Sequence, residues 1–234
     1  MRQIFLDTET TGLSPESGDR IIEIGCVELV ARKLTGNNKH FYLNPERGSH
    51  EAAFKVHGIS DEFLKDKPRF GAIAGELLEY LQGAEIIIHN APFDMGFLDS
   101  ELKICGQNPM LTYVSKVTDS LMMAKELYPG KRNSLDALCD RLEVDNSGRT
   151  LHGALLDAEL LAEVYINLTR GQNSLMMDPV LPNHDGNALA AVDLSQFMLP
   201  ILLANDQELD AHEKLLADID NASKGRTIWR ALSI

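Results

Sequence analysis

Three strand-like runs open this chain with no helical pattern between them, and strand-like and helix-like segments alternate from there to about Arg170. Runs joined by short turns pair antiparallel, whereas a run that returns through a helix pairs parallel, so this order predicts an α/β domain with a mixed central sheet flanked by helices. Gln3 to Leu6 is a short apolar strand that ends at an acid, Asp7. Arg20 to Ala31 is rich in β-branched residues with partial alternation, and Lys39 to Leu43 can pair with it across a turn at Thr35, Gly36 and Asn37. Phe70, Ile73, Leu77, Leu78 and Leu81 form a helical stripe. Glu85 to His89 (EIIIH) reads as a buried strand feeding a helix from Pro92 to about Cys105, with Pro92 suited to the first turn. Ser134 to Leu142 and Gly153 to Leu168 complete the helices.

The texture changes after Arg170. Residues 171–205 hold Gly171, Pro179, Pro182, Gly186 and Pro200 with several Asn and no long helical pattern, which predicts a flexible linker. Beyond it, Asp206 to about Asn221 predicts a helix capped at Asn205 or Asp206, with Leu209, His212, Leu216 and Ile219 on one face. Three parts are expected: a folded domain over 1–170, a linker over 171–205 and a flexible tail with a helix over 206–234. An apolar helix face and a lone tryptophan, Trp229, beyond a linker suggest anchors for a partner.

Hydrophobic residues make up 44% of the 234, enough for a real core, and no apolar run is long enough to span a membrane. The first residues show no secretory leader, and Cys26, Cys105 and Cys139 form no CxxC pair. A soluble cytoplasmic protein without disulfides or structural zinc is expected. The 35 acids against 22 bases leave a net charge of −13, the wrong sign for gripping a phosphate backbone by salt links. Either the surplus carboxylates form a solvated surface, or some cluster around divalent cations that locally invert the field and admit a polyanion.

Three clusters bear on that choice. Asp7-Thr8-Glu9-Thr10-Thr11-Gly12 directly follows a strand, and acids at i and i+2 of an extended segment share a face. Asp7 and Glu9 therefore converge, which calls for a cation, although two solvated acids at a strand end fit a bare DxE as well. His89-Asn90-Ala91-Pro92-Phe93-Asp94 closes the strand from Glu85. Sites in α/β sheets gather beyond strand ends, so Asp94 can join the first pair, or it is a first-turn acid favoured by the helix dipole. His89 and Asn90 read as turn and capping groups. In His152-Gly153-Ala154-Leu155-Leu156-Asp157, Gly153 suggests that the helix begins there, leaving His152 on the preceding loop and Asp157 in the second turn. A histidine before a helix also fits as an exposed or capping group. Together the clusters supply four carboxylates and one histidine, the inventory for metal-assisted hydrolysis with a general base.

In this order and at these intervals, the clusters resemble the three motifs of the DEDDh 3′–5′ exonucleases, which have an RNase H-like fold. DTETTG and HGALLDAELL are the most specific strings. With Val56 to Leu64 (VHGISDEFL) and the tail string Ile228-Trp229-Arg230-Ala231, the chain is similar over essentially its whole length to the proofreading epsilon subunits of bacterial DNA polymerase III. The resemblance implies hydrolysis of mismatched 3′-terminal nucleotides from DNA, with release of nucleoside 5′-monophosphates and help from two divalent ions, Mg2+ or Mn2+. It implies that Asp7, Glu9 and Asp157 ligate one metal and contact the substrate, and that Asp7 bridges to a second metal held by Asp94 through water. His152 would be the general base, its histidine rather than tyrosine setting the subtype. His57 would sit beside the terminal nucleotide; taken alone, it is a turn histidine before Gly58.

In the tail, Gln172-Asn173-Ser174-Leu175-Met176-Met177 resembles the short peptide by which epsilon subunits touch the sliding clamp, with Gln172, Leu175 and Met177 as contacts. The family often ends this peptide in Phe. Leu209 and Leu216 on the last helix, and Trp229, fall where relatives bind the polymerase III alpha subunit. A small accessory subunit is a further partner that the resemblance allows. Two other readings stay open: an RNA-trimming exonuclease with the same site, and a catalytically silent adaptor on the same fold.

Overall fold

The computed structural model describes residues 2–148, 151–170 and 204–223. They belong to two units, each described by itself. In the first, six strands form one mixed sheet: β1 (Arg2–Thr10), β2 (Ile21–Val30), β3 (Lys33–Leu34), β4 (Lys39–Tyr42), β5 (Glu85–Ile88) and β6 (Lys116–Asp119). The order is β3-β2-β1-β5-β6, with β4 also beside β2. β2 runs antiparallel to β1, β3 and β4, while β5 runs parallel to β1 and β6. The hairpin half is thus antiparallel and the crossover half parallel, as the order of segments predicts. The helices are α1 (Glu51–His57), α2 (Asp61–Leu64), α3 (Phe70–Leu81), α4 (Ala91–Ile104), α5 (Ser120–Leu127), α6 (Leu135–Leu142) and α7 (Ala154–Leu168).

The pleat of β1 sorts its side chains between two cores. Ile4 and Leu6 enter one with Leu77, Leu81, Phe97 and Leu98 of α3 and α4. Phe5 enters the other with Leu138, Leu161 and Val164 of α6 and α7, its ring edge-on to Tyr165 at 5.3 Å. Each such fully buried side chain contributes about 1.5–3 kcal/mol. The same alternation, carried two residues further, puts Asp7 and Glu9 on the α7 side of the sheet and Thr8 on the α4 side.

A buried ion pair closes the α4 side. Arg20 Nε and Nη2 donate to the two carboxylate oxygens of Glu101, each at 2.7 Å, and Glu101 is almost wholly buried. Removing one partner of such a pair costs about 3–5 kcal/mol because the other charge is stranded, more than the loss of one core leucine's transfer energy.

Several elements depart from the sequence expectation. β1 does not stop at Leu6 but continues through Thr10, because β2 pairs with it in one register from Arg2↔Val30 to Glu9↔Glu23 and, after a shift, at Thr10↔Ile21. α1, α2, β6 and α5 are not signalled by periodicity at all. They are held instead by local caps, such as Ser60 Oγ accepting from Phe63 N–H and the Asp119 carboxylate from Leu121 N–H, and by the open edge of β5 that pairs Ile86 with Val117.

The second unit holds α8 (Asp206–Ser223), two residues longer than expected. Asn205 Oδ1 accepts from Glu208 N–H while Glu208 Oε2 accepts from Asn205 N–H, a reciprocal cap at 3.0 and 2.9 Å. Of its apolar face, Leu216 is buried, whereas Leu209 is more than half exposed. Gln172, Leu175, Met177 and Trp229 lie outside the described residues. Among the described residues, no helix is long and apolar enough to cross a membrane.

Candidate active site

The site assembles where β1, β2 and the start of α7 meet. Across the β1–β2 pair, Asp7 faces Gly25 and Glu9 faces Glu23, and the register shifts between Glu9 and Thr10. Gly25 is required by packing: a Cβ there would stand 2.2 Å from the Ala154 carbonyl carbon. The first turn of α7 thus lies directly on the face that carries Asp7 and Glu9. Asp157, 3% exposed, sits in that first turn rather than the second, because α7 begins at Ala154, and the helix dipole favours an acid there.

His152 lies on the loop just before α7, as its position ahead of Gly153 predicts. The loop is pinned from α1: His152 N–H donates to Val56 O at 3.1 Å, and Leu151 fills the space over Gly58, which adopts φ +68°. His152 Nδ1 lies 3.3 Å from Asp157 Oδ2. Ligand atoms of Glu9, His152 and Asp157 all fall within 4.8 Å of one another. Asp7 borders the same region, in a 220 Å³ cavity lined also by His89, Ser134, Leu135, Asp136, His152 and Asp157.

Residues 4–165 match the RNase_T exonuclease family. The chain is 52% identical to the DNA polymerase III subunit epsilon of Pasteurella multocida (strain Pm70) over 237 residues, covering 97% of this chain and 93% of that one. It is 50% identical to the protein of that name from Escherichia coli (strain K12), covering 98% of each. The chain belongs to the DNA polymerase III epsilon subunit family of exonucleases. Among solved structures, Exonuclease X in complex with 5′ overhanging duplex DNA superposes with a TM-score of 0.55 at 23% identity, covering 72% of this chain and 91% of that one, and shares the fold.

Exonucleases of this family depend on divalent metal, and the donors of this chain fit such an ion. The Glu9 and Asp157 carboxylates offer hard oxygen donors suited to a divalent cation, with the His152 imidazole within 4.8 Å of them.

Asp94 meets β1 at Thr8, the residue between Asp7 and Glu9. It lies in the first turn of α4, 3% exposed, and accepts from Thr8 Oγ1 at 2.8 Å. Burial pushes its carboxyl up to about 7, the charge of Asp119 adds to this, and the Thr8 hydroxyl opposes it. Between 3.8 and about 7 the folded epsilon-family chain holds a proton that the unfolded chain has lost. Stability of the metal-free protein should therefore fall as pH rises through that window. Asp94→Asn cannot ionise, so in chelator its melting temperature should lack this decline and exceed the parent's above neutrality. A parallel fall in both proteins, by thermal melts across pH, would rule out Asp94 as the source.

His57 ends α1, 4% exposed, and its Nδ1 accepts from Ile59 N–H at 3.0 Å. In the neutral ring Nε2 then carries the hydrogen, and among the described residues it has no partner. Burial lowers the His57 pKa, with Glu23 and Asp61 opposing. His57 does not line the cavity of Asp7 and Asp157. Near it, an apolar groove of 630 Å³ runs between Gly12 and Leu13 after β1 and Ala52, Ala53 and Val56 of α1.

His89, which the sequence reads as a turn group, lines the cavity, its Nδ1 bonded to Ser120 Oγ at 2.9 Å and its Nε2 buried without a partner among the described residues. Burial lowers its pKa as well. Sequence reasoning passes over Ser134, Leu135 and Asp136. Ser134 caps α6, its Oγ accepting from Ala137 N–H.

Proposed function

We propose that this epsilon-family chain removes 3′-terminal nucleotides from DNA, mismatched ends above all, in association with the polymerase III alpha subunit. The supporting observation is the convergence of Glu9, His152 and Asp157 within 4.8 Å in a chain half identical to proteins named as epsilon subunits. Asp7, Glu9 and Asp157 would hold one Mg2+ or Mn2+, and Asp94 with Asp7 a second. When bound, such ions neutralise the phosphate and make water a stronger acid.

The chain's own groups do the rest. His152, with Nδ1 directed to Asp157, accepts a proton from water at Nε2. The water oxygen bonds to the terminal phosphorus as the bond from phosphorus to the penultimate O3′ breaks; O3′ takes a proton from solvent, and a nucleoside 5′-monophosphate leaves. The apolar groove of Leu13 and Val56 offers a seat for a base, and His57, next to Val56 at the end of α1, would contact the terminal nucleotide. A frayed end costs less to unstack than a paired one, which is the source of the preference for mismatches.

The tail divides the labour. Residues 206–234, with Leu209, Leu216 and Trp229, dock on the alpha subunit; 172–177 touch the sliding clamp; 1–170 hydrolyse DNA in the cytoplasm. The largely uncovered apolar side chains of α8 support a docking role.

The test uses end-labelled single strands of DNA and RNA and DNA duplexes with paired or mismatched 3′ ends, with Mg2+ or Mn2+, the full chain and a fragment cut at about residue 185. Mononucleotide release from DNA, faster at mismatched than paired ends, is expected from both. Only the full chain should co-elute with the alpha subunit. Preference for RNA would favour the RNA-trimming reading, and inactivity on both polymers the adaptor.

A further inference from the structure

A charged side chain that hydrolysis itself does not use lies beside the site. Glu23 on β2 stands directly opposite Glu9, two acids on one face of an antiparallel pair, which is unfavourable unless each charge is met. Water does not meet it, since Glu23 is 2% exposed. Its Oε2 accepts from Ala154 N–H at 3.1 Å, and His40 Nε2 lies 2.6 Å from its Oε1.

Ala154 is the first residue of α7, and the N-cap of that helix is Gly153, which makes no side-chain cap bond. The sheet thus supplies the cap that the helix sequence lacks, and the carboxylate faces the positive end of the helix dipole. The anchor is stiff on both sides. Two residues along β2, Gly25 lets the Ala154 backbone press against the sheet, and β4 holds His40 opposite Gly25. His152 stands two residues before this anchor and Asp157 three residues after it. Any slip of this end of α7 moves both relative to Glu9.

We propose that Glu23 is a positioning residue of the exonuclease site, capping α7 from β2 and so keeping His152 and Asp157 in register with Glu9. The proposal rests on the exonuclease reading for its kinetic arm and on the fold alone for its structural arm. Glu23→Gln keeps an acceptor for Ala154, and its amide can donate to the other tautomer of His40, so it should largely rescue the cap; Glu23→Ala cannot.

The experiment measures kcat and KM of the full chain on end-labelled single-stranded DNA with Mg2+, together with residue-resolved amide exchange. In Glu23→Ala, kcat should fall about 10- to 100-fold with KM within about twofold, as for groups that orient ligating residues. Exchange at Ala154 should quicken roughly tenfold or more while Phe5 and Leu6 in β1 stay protected, since only a local opening is involved. Glu23→Gln should remain within about threefold of the parent, its acceptor being retained. If Glu23→Ala does not fold, Glu23→Asp, which keeps the charge but withdraws the oxygens by one methylene, should lose about tenfold in kcat. The proposal is overturned if folded Glu23→Ala or Glu23→Asp matches the parent in kcat, if exchange quickens across the whole core in step with the loss, or if Glu23→Gln is as impaired as Glu23→Ala. An inactive parent would instead sink the exonuclease reading, leaving the exchange at Ala154 to decide this one.

Discussion

Asp157→Ala should abolish measurable hydrolysis, a loss of roughly a thousandfold or more, while the chain stays folded. The carboxylate is almost wholly buried in the first turn of α7 and lies with Glu9 and His152 inside one 4.8 Å group. Its loss removes a donor to the divalent ion and also the acceptor beside His152 Nδ1. The two losses act on one event, so the effect exceeds that of either alone but is not their sum. Folding should not suffer in proportion, because removing one of several clustered carboxylates relieves repulsion in the metal-free chain. Single-turnover nucleotide release and a thermal melt on the same preparation check both halves. Mg2+-dependent release within tenfold of the parent, in a folded Asp157→Ala chain, is the outcome that would sink the assignment.

His152→Ala should lower kcat about 100-fold or more and leave KM nearly unchanged, as expected for a base that acts in the transition state. His152 is about half exposed and pinned by its own backbone to Val56, so the ring is dispensable for folding. If the substitution instead weakened DNA binding and left single-turnover chemistry intact, His152 would be a substrate contact.

The nearest-neighbour patterns of the chain determined a good deal. Apolar spacing places a helix over Phe70–Leu81, where α3 lies, and a strand over Arg20 to Ala31, one residue wider at each end than β2, and the order of strands and helices requires a mixed sheet. All three acidic strings were readable as candidate site material because their surroundings put one in an extended segment after a strand, one at a strand end and one at a helix start, where side-chain direction is a local property. What the sequence could not decide was which surfaces meet. β1 extends through Asp7 and Glu9 only because β2 pairs with it, and α1 and α2 are too short and polar to announce themselves. Asp94 reaches β1 at Thr8 from the α4 face, a contact across 86 residues, and Glu23 caps α7 across 131. His89 and Asp136 come to the same cavity from separate elements. Helical and strand periods are set by neighbouring backbone torsions and so are written locally. Register, caps supplied from another element, and the burial that shifts a carboxyl such as Asp94 arise from contacts between distant segments, and those exist only once the two cores have packed.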